Sequence, residues 1–164
     1  MNLEPYSQDW PVLYKEEAQK IREVLGDSLW DIQHIGSTAI PNIKAKPIID
    51  IAVMLNSFDN VHIMIKKLSE IDFIYDQQKS SSERYFFVKY GINKYHLSLT
   101  IPTTSYWRRQ ILFRNYLIKH SEAAKEYEKL KQALLKKNID RSTGYIDGKS
   151  DFVSKILELA ENEK

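Results

Sequence analysis

Apolar residues recur along this chain with two periods, one helical and one alternating, and the switches between them outline the elements. Residues 10–27 read as a helix: Leu13, Glu17, Ile21, Val24 and Leu25 fall near one stripe, and Pro11 suits a first helical turn. Residues 30–35 form a short strand that runs straight into Gly36-Ser37. Residues 47–55 are almost unbroken apolar (Ile48, Ile49, Ile51, Val53, Met54), interrupted only by Asp50 and Ala52. A strand this apolar is covered on both faces, so it belongs inside the sheet. Ser57 is the expected cap of a helix carrying Val61, Met64, Ile65 and Leu68. Residues 73–75 make a short strand, followed by a polar loop over 77–83. Residues 84–90 and 94–101 then alternate as two strands, and Gly91-Ile92-Asn93 supplies the turn of a hairpin. From Thr104 the period is helical again, with Trp107, Ile111 and Ile118 as the stripe. Ser121 is read as the cap of the next helix. Asp147 or Ser150 is read as the cap of a last one bearing Phe152, Val153, Ile156, Leu157 and Ala160. Helix, two strands, helix, three strands and then helices describe an α+β chain (α/β-like) with a mixed β-sheet, flanking helices and a C-terminal helical layer.

Length and composition narrow this little. The chain has 164 residues, with five Gly, five Pro and no internal repeat, so one domain over 1–164 is expected. There is no cysteine, which removes disulfides and thiolate metal sites. The opening Met-Asn-Leu-Glu-Pro-Tyr lacks the basic and apolar regions of a signal peptide, and no apolar run reaches the roughly 18 residues of a membrane span. A soluble cytoplasmic protein is the expectation. The net charge of +2 hides an acidic first stretch and a basic later half. Most of those later lysines are read as a solvated helical surface. Without interleaved exposed aromatics or a binding motif, nucleic acid is not the expected partner.

The chemistry concentrates in His34-Ile-Gly-Ser-Thr-Ala-Ile-Pro and the following Ala45-Lys46-Pro47-Ile48-Ile49-Asp50. At a strand-to-turn Gly36-Ser37, glycine lets the backbone approach a ligand and serine adds a hydroxyl donor. A short helix after it would add unpaired N–H groups. Asp50 sits on the central strand, where a carboxylate needs a partner or a cation. On residue type alone this signal is weak.

These segments resemble the signature of the GrpB family, which belongs to the nucleotidyltransferase-like superfamily. The resemblance extends over Trp10-Pro11, Tyr95-His96-Leu97-Ser98-Leu99, Trp107-Arg108-Arg109 through Leu117, Tyr127, Leu130, Lys131, and Tyr145 with Gly148-Lys149-Ser150. It implies a nucleotidyltransferase-like fold that binds a nucleotide or other phosphorylated small molecule. In the superfamily a Gly-Ser turn cradles phosphates, and acids at Asp-x-Asp/Glu and on a further strand hold two Mg²⁺ for transfer of a nucleotidyl group. Here Gly36, Ser37 and Asp50 match, Ala52 replaces the second acid, and His96 and Ser98 lie where a third would be expected. The implied phosphate ligands are Gly36, Ser37, Thr38, Lys46, Arg84 and Lys149. Asp50 is the implied metal ligand, and Asp50 with His96 the implied catalytic pair. Mg²⁺ is expected to bind weakly and only with the ligand. Whether a group is transferred is open. A non-catalytic ligand-binding or accessory module is the alternative, since such domains also occur fused to dephospho-CoA kinases.

Several residues carry two readings. His34 is a pocket residue or a strand-end histidine bonded to backbone. Arg84 forks onto a phosphate or pairs with Glu83 or Asp76. Lys46 is a phosphate contact, which the family match favours, or a solvated loop lysine. Arg108, Arg109 and Arg114 cannot all face one way on a helix. Lys149 is read at a helix start, where the dipole disfavours a cation, so function is the reason offered for it.

Overall fold

Helix α1 (Asp9–Leu25) leads through one 3₁₀ turn into strand β1 (Leu29–Ile35). Strand β2 (Ile48–Leu55), helix α2 (Val61–Ser69), strands β3 (Ile74–Tyr75), β4 (Tyr85–Lys89) and β5 (Lys94–Thr100), and helices α3 (Tyr106–Lys119), α4 (Ser121–Lys136) and α5 (Thr143–Asn162) follow. The computed structural model describes residues 2–137 and 143–163, with side chains from 148 onward in the second stretch. Among the described residues no helix is long and apolar enough to cross a membrane.

The five strands lie in the order β1-β2-β5-β4-β3. β2 and β5 run parallel and the other pairs antiparallel, so the sheet is mixed and the chain α+β. The apolar β2 is interior, as its pattern requires. Alternation splits its side chains between two layers. Ile49, Ile51 and Val53, with Leu97, Leu99 and Phe87, face α1 and α2 in the main core with Ile21, Leu25 and Leu68. Burying each such aliphatic side chain contributes about 1.5–3 kcal/mol. Asp50 and Ala52 emerge on the opposite face, toward the C-terminal helices. Those helices and the loop between β1 and β2 share a second apolar cluster of Ile40, Ile43, Leu117, Ala124, Tyr127 and Ile156, with Phe113 and Phe152 against it.

The helix starts differ from expectation. Ser57 does not cap α2; its hydroxyl accepts from the Asp59 N–H at 3.3 Å, and Asn60 occupies the cap without a side-chain bond. Ser121 is the first residue of α4, and His120 precedes it. Backbone bonds serve that junction instead: the His120 N–H donates to the Tyr116 carbonyl (2.9 Å) and the Ala124 N–H to the His120 carbonyl (3.1 Å). Helix α5 begins at Thr143, so Asp147 and Ser150 lie inside it; the side chains of Asp147 and Tyr145 fall outside the described residues. The expected α3 stripe is also displaced. Ile118 is exposed and Leu117 buried, while Tyr106, Gln110 and Phe113 line a cavity. Because α3 roofs a cavity, its inward row mixes polar and apolar residues, and an apolar stripe misplaces it.

Candidate functional site

β1 ends at Ile35, paired with Asp50 on β2, so the next residue must turn beside that carboxylate. Gly36 does so with φ +72° and ψ −172°, a region open essentially to glycine alone. A Cβ there would lie 2.3 Å from Asp50 Oδ2, so the bare backbone is what lets turn and carboxylate touch. Ser37–Ala39 form a single 3₁₀ turn of three residues, too short to act as a helix dipole. Ser37 faces the cavity. Thr38, implied as a phosphate ligand, is turned inward: it is 1% exposed and its hydroxyl donates to the Ile48 carbonyl at 3.3 Å. The same oxygen accepts from His34 Nε2–H at 2.9 Å. His34 faces α1, stacked on Tyr14 with centroids 4.9 Å apart, and is neither of the two things its sequence position suggested. Burial pushes its pKa down to about 4, against a smaller opposing pull from Asp50.

The parallel register aligns Asp50 with His96 and Ala52 with Ser98. His96 Nδ1 lies 3.2 Å from Asp50 Oδ1, and both side chains are about a third exposed (32% and 34%), open to the cavity. Ala52 is fully buried, and Ser98 is 3% exposed. The Ser98 hydroxyl accepts from Arg84 Nη1 at 3.0 Å, and Arg84 also donates to the Tyr106 hydroxyl at 3.3 Å. Its guanidinium lies over the rings of Phe86 (4.5 Å) and Tyr106 (4.9 Å), a cation–π clamp that fixes its orientation. The expected surface pairs of Arg84 do not form: Glu83 bonds Arg109 at 2.9 Å instead. Arg108 pairs with Glu161, and Arg114 donates to Gln33 Oε1 (2.9 Å) and the His34 carbonyl (2.8 Å), so no two of the three arginines of α3 share a partner.

Together these groups line a cavity of about 590 Å³ between the sheet face and helices α3 and α5. Gly36, Ser37, Asp50, Arg84, His96 and Lys149 all reach it. A smaller cavity of about 230 Å³ adjoins it, sharing Ser37, Asp50, His96 and Lys149 and adding Lys46 and Lys131. Lys149 is therefore well placed, but it is the seventh residue of α5, past its first turn, so the dipole argument for it does not hold. Burial, then Lys46, lowers its pKa, and Asp50 opposes that shift. Lys131 is 2% exposed, donates to the Lys44 carbonyl at 2.9 Å and lies 4.7 Å from the Tyr127 ring centre. Burial, with Lys149 and Lys46 adding repulsion and Glu128 opposing, pushes it down to about 8.

The donor set does not suit a pair of Mg²⁺ ions. Among the described residues one carboxylate, Asp50, faces the cavity, Ala52 offers no oxygen, and the Ser98 hydroxyl is held by Arg84. Among the described residues no three His, Cys, Asp or Glu side chains gather as a metal site.

Sequence reasoning gave Lys131 only as part of the family resemblance and overlooked Tyr106 and Phe86. Lys131 stands in the buried row Ala124, Tyr127, Lys131, Leu134, where a lysine breaks an apolar stripe. That interruption was a usable signal. Phe86 pairs with Ser98 in the hairpin register, which also follows from alternation. Tyr106 reaches the site only through the packing of α3.

Comparison with known proteins places this arrangement among relatives. The model of the family described as "GrpB protein" matches residues 1–159. The UPF0157 protein YqkA of Bacillus subtilis is 31% identical over 160 residues, 97% of this chain and 47% of that one, so this chain spans about half its length. The glutamate-rich protein GrpB of Alkalihalophilus pseudofirmus is 32% identical over 161 residues, 94% of this chain and 92% of that one. The crystal structure of the conserved protein GrpB from Enterococcus faecalis superposes with a TM-score of 0.87 at 30% identity, covering 97% of this chain and 96% of that one.

Proposed function

This chain belongs to the GrpB family, and from that premise we propose that it binds a nucleotide or another phosphorylated small molecule. The phosphates sit at the Gly36-Ser37 turn beside Asp50 and Lys149, and the organic portion lies against Phe86 and Tyr106. One observation carries this reading: a cavity of about 590 Å³, within the size range of small-molecule sites, joins that turn to Arg84, Lys149 and aromatic rings. Backbone turn, hydroxyl and fixed cations are the groups that recognise phosphate. Mg²⁺ in this proposal enters weakly, with the ligand's phosphates completing its coordination.

A second reading, transfer of a nucleotidyl group, is favoured by the Asp50–His96 contact. A carboxylate holding one ring nitrogen orients the imidazole as a base toward an acceptor hydroxyl. The incomplete acid set weighs against it, so the binding module stands first.

The test is a thermal-shift screen of nucleoside triphosphates and coenzyme A-type metabolites, each with and without Mg²⁺. A true ligand at a hundredfold excess over its Kd raises Tm by about 5 °C or more. No shift with any phosphorylated compound overturns the proposal. Labelled nucleoside triphosphates with mixed acceptors then separate the readings, because transfer lost in Asp50→Asn supports the enzyme.

A further inference from the structure

Arg84 is held in a way that leaves half of its head group for whatever enters the larger cavity. Its Nη1 donates to the Ser98 hydroxyl (3.0 Å) and the Tyr106 hydroxyl (3.3 Å), and its guanidinium lies over the rings of Phe86 and Tyr106. These contacts fix the plane of the guanidinium without neutralising it, because none is a carboxylate. Its sequence neighbour Glu83 is engaged elsewhere, accepting from Arg109 Nη2 and from the Ser105 hydroxyl, each at 2.9 Å. A guanidinium carries five N–H donors. Among the described residues nothing accepts from Nε or Nη2 of Arg84, and its side chain lines the cavity. Nε and Nη2 share one edge, the planar fork that takes two oxygens of a single acid group.

Strand register measures how far this fork lies from the Gly36-Ser37 turn. Ser98 follows His96 by two residues on β5; His96 is opposite Asp50 on β2, and Asp50 is opposite Ile35, where β1 ends. With strands about 4.8 Å apart and a rise of about 3.3 Å per residue, Ser98 stands roughly 10 Å from the turn. Arg84 approaches Ser98 from the β4 side, away from β1. A single phosphate cannot bond both places at hydrogen-bond distances of about 3 Å. A phosphate chain laid between them meets the Asp50 carboxylate, which is 34% exposed to the cavity. The resemblance groups Arg84 with the phosphate ligands of the turn, and the geometry separates it from them. What Arg84 meets is therefore the organic end of the ligand, the end that lies by Phe86 and Tyr106.

We infer that Arg84 forms a second anion subsite, so that the cavity takes an elongated ligand with a phosphate at the Gly36-Ser37 turn and a further acid group, carboxylate or phosphate, at its organic end. Ser98 and Tyr106 are positioning residues that hold the fork in place. The inference rests on the phosphate-site reading above and adds what the other end of the ligand carries.

Isothermal titration of the full chain with alkylphosphonates of increasing length tests it. Each length is offered with three far ends: a methyl group, a carboxylate and a second phosphonate. At lengths that span the two places, an acid-ended probe is expected to bind about tenfold tighter than its methyl-ended partner, the size of one charge-assisted hydrogen-bonded contact. Shorter acid-ended probes gain nothing, and the tighter of the two acids names the group that Arg84 takes. Arg84→Met removes the preference. Arg84→Lys, which keeps a cation by the rings but has no fork, reduces it and serves should Arg84→Met fail to fold. Acid-ended and methyl-ended probes that bind equally at every length overturn the second subsite and leave the phosphate site standing. A preference that survives in Arg84→Met also overturns it. Binding of no probe at any length overturns the inference, and together with no shift in the thermal screen it overturns the phosphate site as well.

Discussion

His34 shows how one side chain couples the turn to the protein's response to acid. Its Nε2–H is committed to Thr38, its ring is stacked on Tyr14, and burial holds its pKa near 4, against 6.5 when exposed. The unfolded chain therefore takes up this proton first as pH falls. The stability that neutral His34 confers is complete above about pH 6.5 and is lost as pH drops toward 4. The loss is on the order of 2 kcal/mol, reduced from the full shift because the site is not sealed from water. Urea unfolding between pH 7 and 4 measures it, and His34→Gln should flatten the dependence across that window. Gly36 gives a harder limit. Its backbone angles exclude other residues and its neighbour is the Asp50 carboxylate, so Gly36→Ala should cost roughly 2 kcal/mol or more. The same change displaces Asp50 from His96, which loss of the phosphate-dependent Tm rise would report.

Among the elements, α1 and β4 are tied by a buried ion pair. Glu17 is 2% exposed, and Lys89 Nζ lies 2.6 Å from its Oε1, with Lys20 at 3.5 Å from Oε2. The Lys89 ammonium also lies over the rings of Phe73 and Tyr95. Lys89→Met leaves a carboxylate in the core with one partly exposed partner, and should cost about 3 kcal/mol. The double replacement Glu17→Leu with Lys89→Met should recover most of that in chemical denaturation, because neither buried charge remains. Recovery of less than half would show that the pair also fixes how α1 sits on the sheet. Glu17 stood out in the sequence as an acid inside an apolar stripe. Its partner, 72 residues away, did not.

For the whole molecule, what could be read from the sequence divides along the same boundary of distance. Periodicity placed β2 inside the sheet and paired β4 with β5, because both depend on local alternation and a short turn. The family resemblance pointed to His96 and Ser98, and the register of β5 beside β2 is what sets them along the floor of the cavity. The roof was not anticipated. Tyr106, Gln110 and Phe113 lie in the cavity because α3 packs over it, and helix registry against a distant sheet leaves no local mark. Helix caps were misplaced for a related reason: α3 and α4 abut across His120 alone, so backbone bonds replace the side-chain caps that serine usually supplies. Lys131 lay between these cases. The lysine in the apolar row was visible, but Lys46 and Lys149, which share its cavity, arrive from a loop and from α5.

The crowding of Gly36 against Asp50 has a consequence for reading evolutionary variation. A glycine at this position is demanded once by the backbone and again by the carboxylate beside it, whatever the cavity holds. Its retention among relatives would therefore be uninformative about activity, since descendants that had lost every ligand would keep it in order to fold.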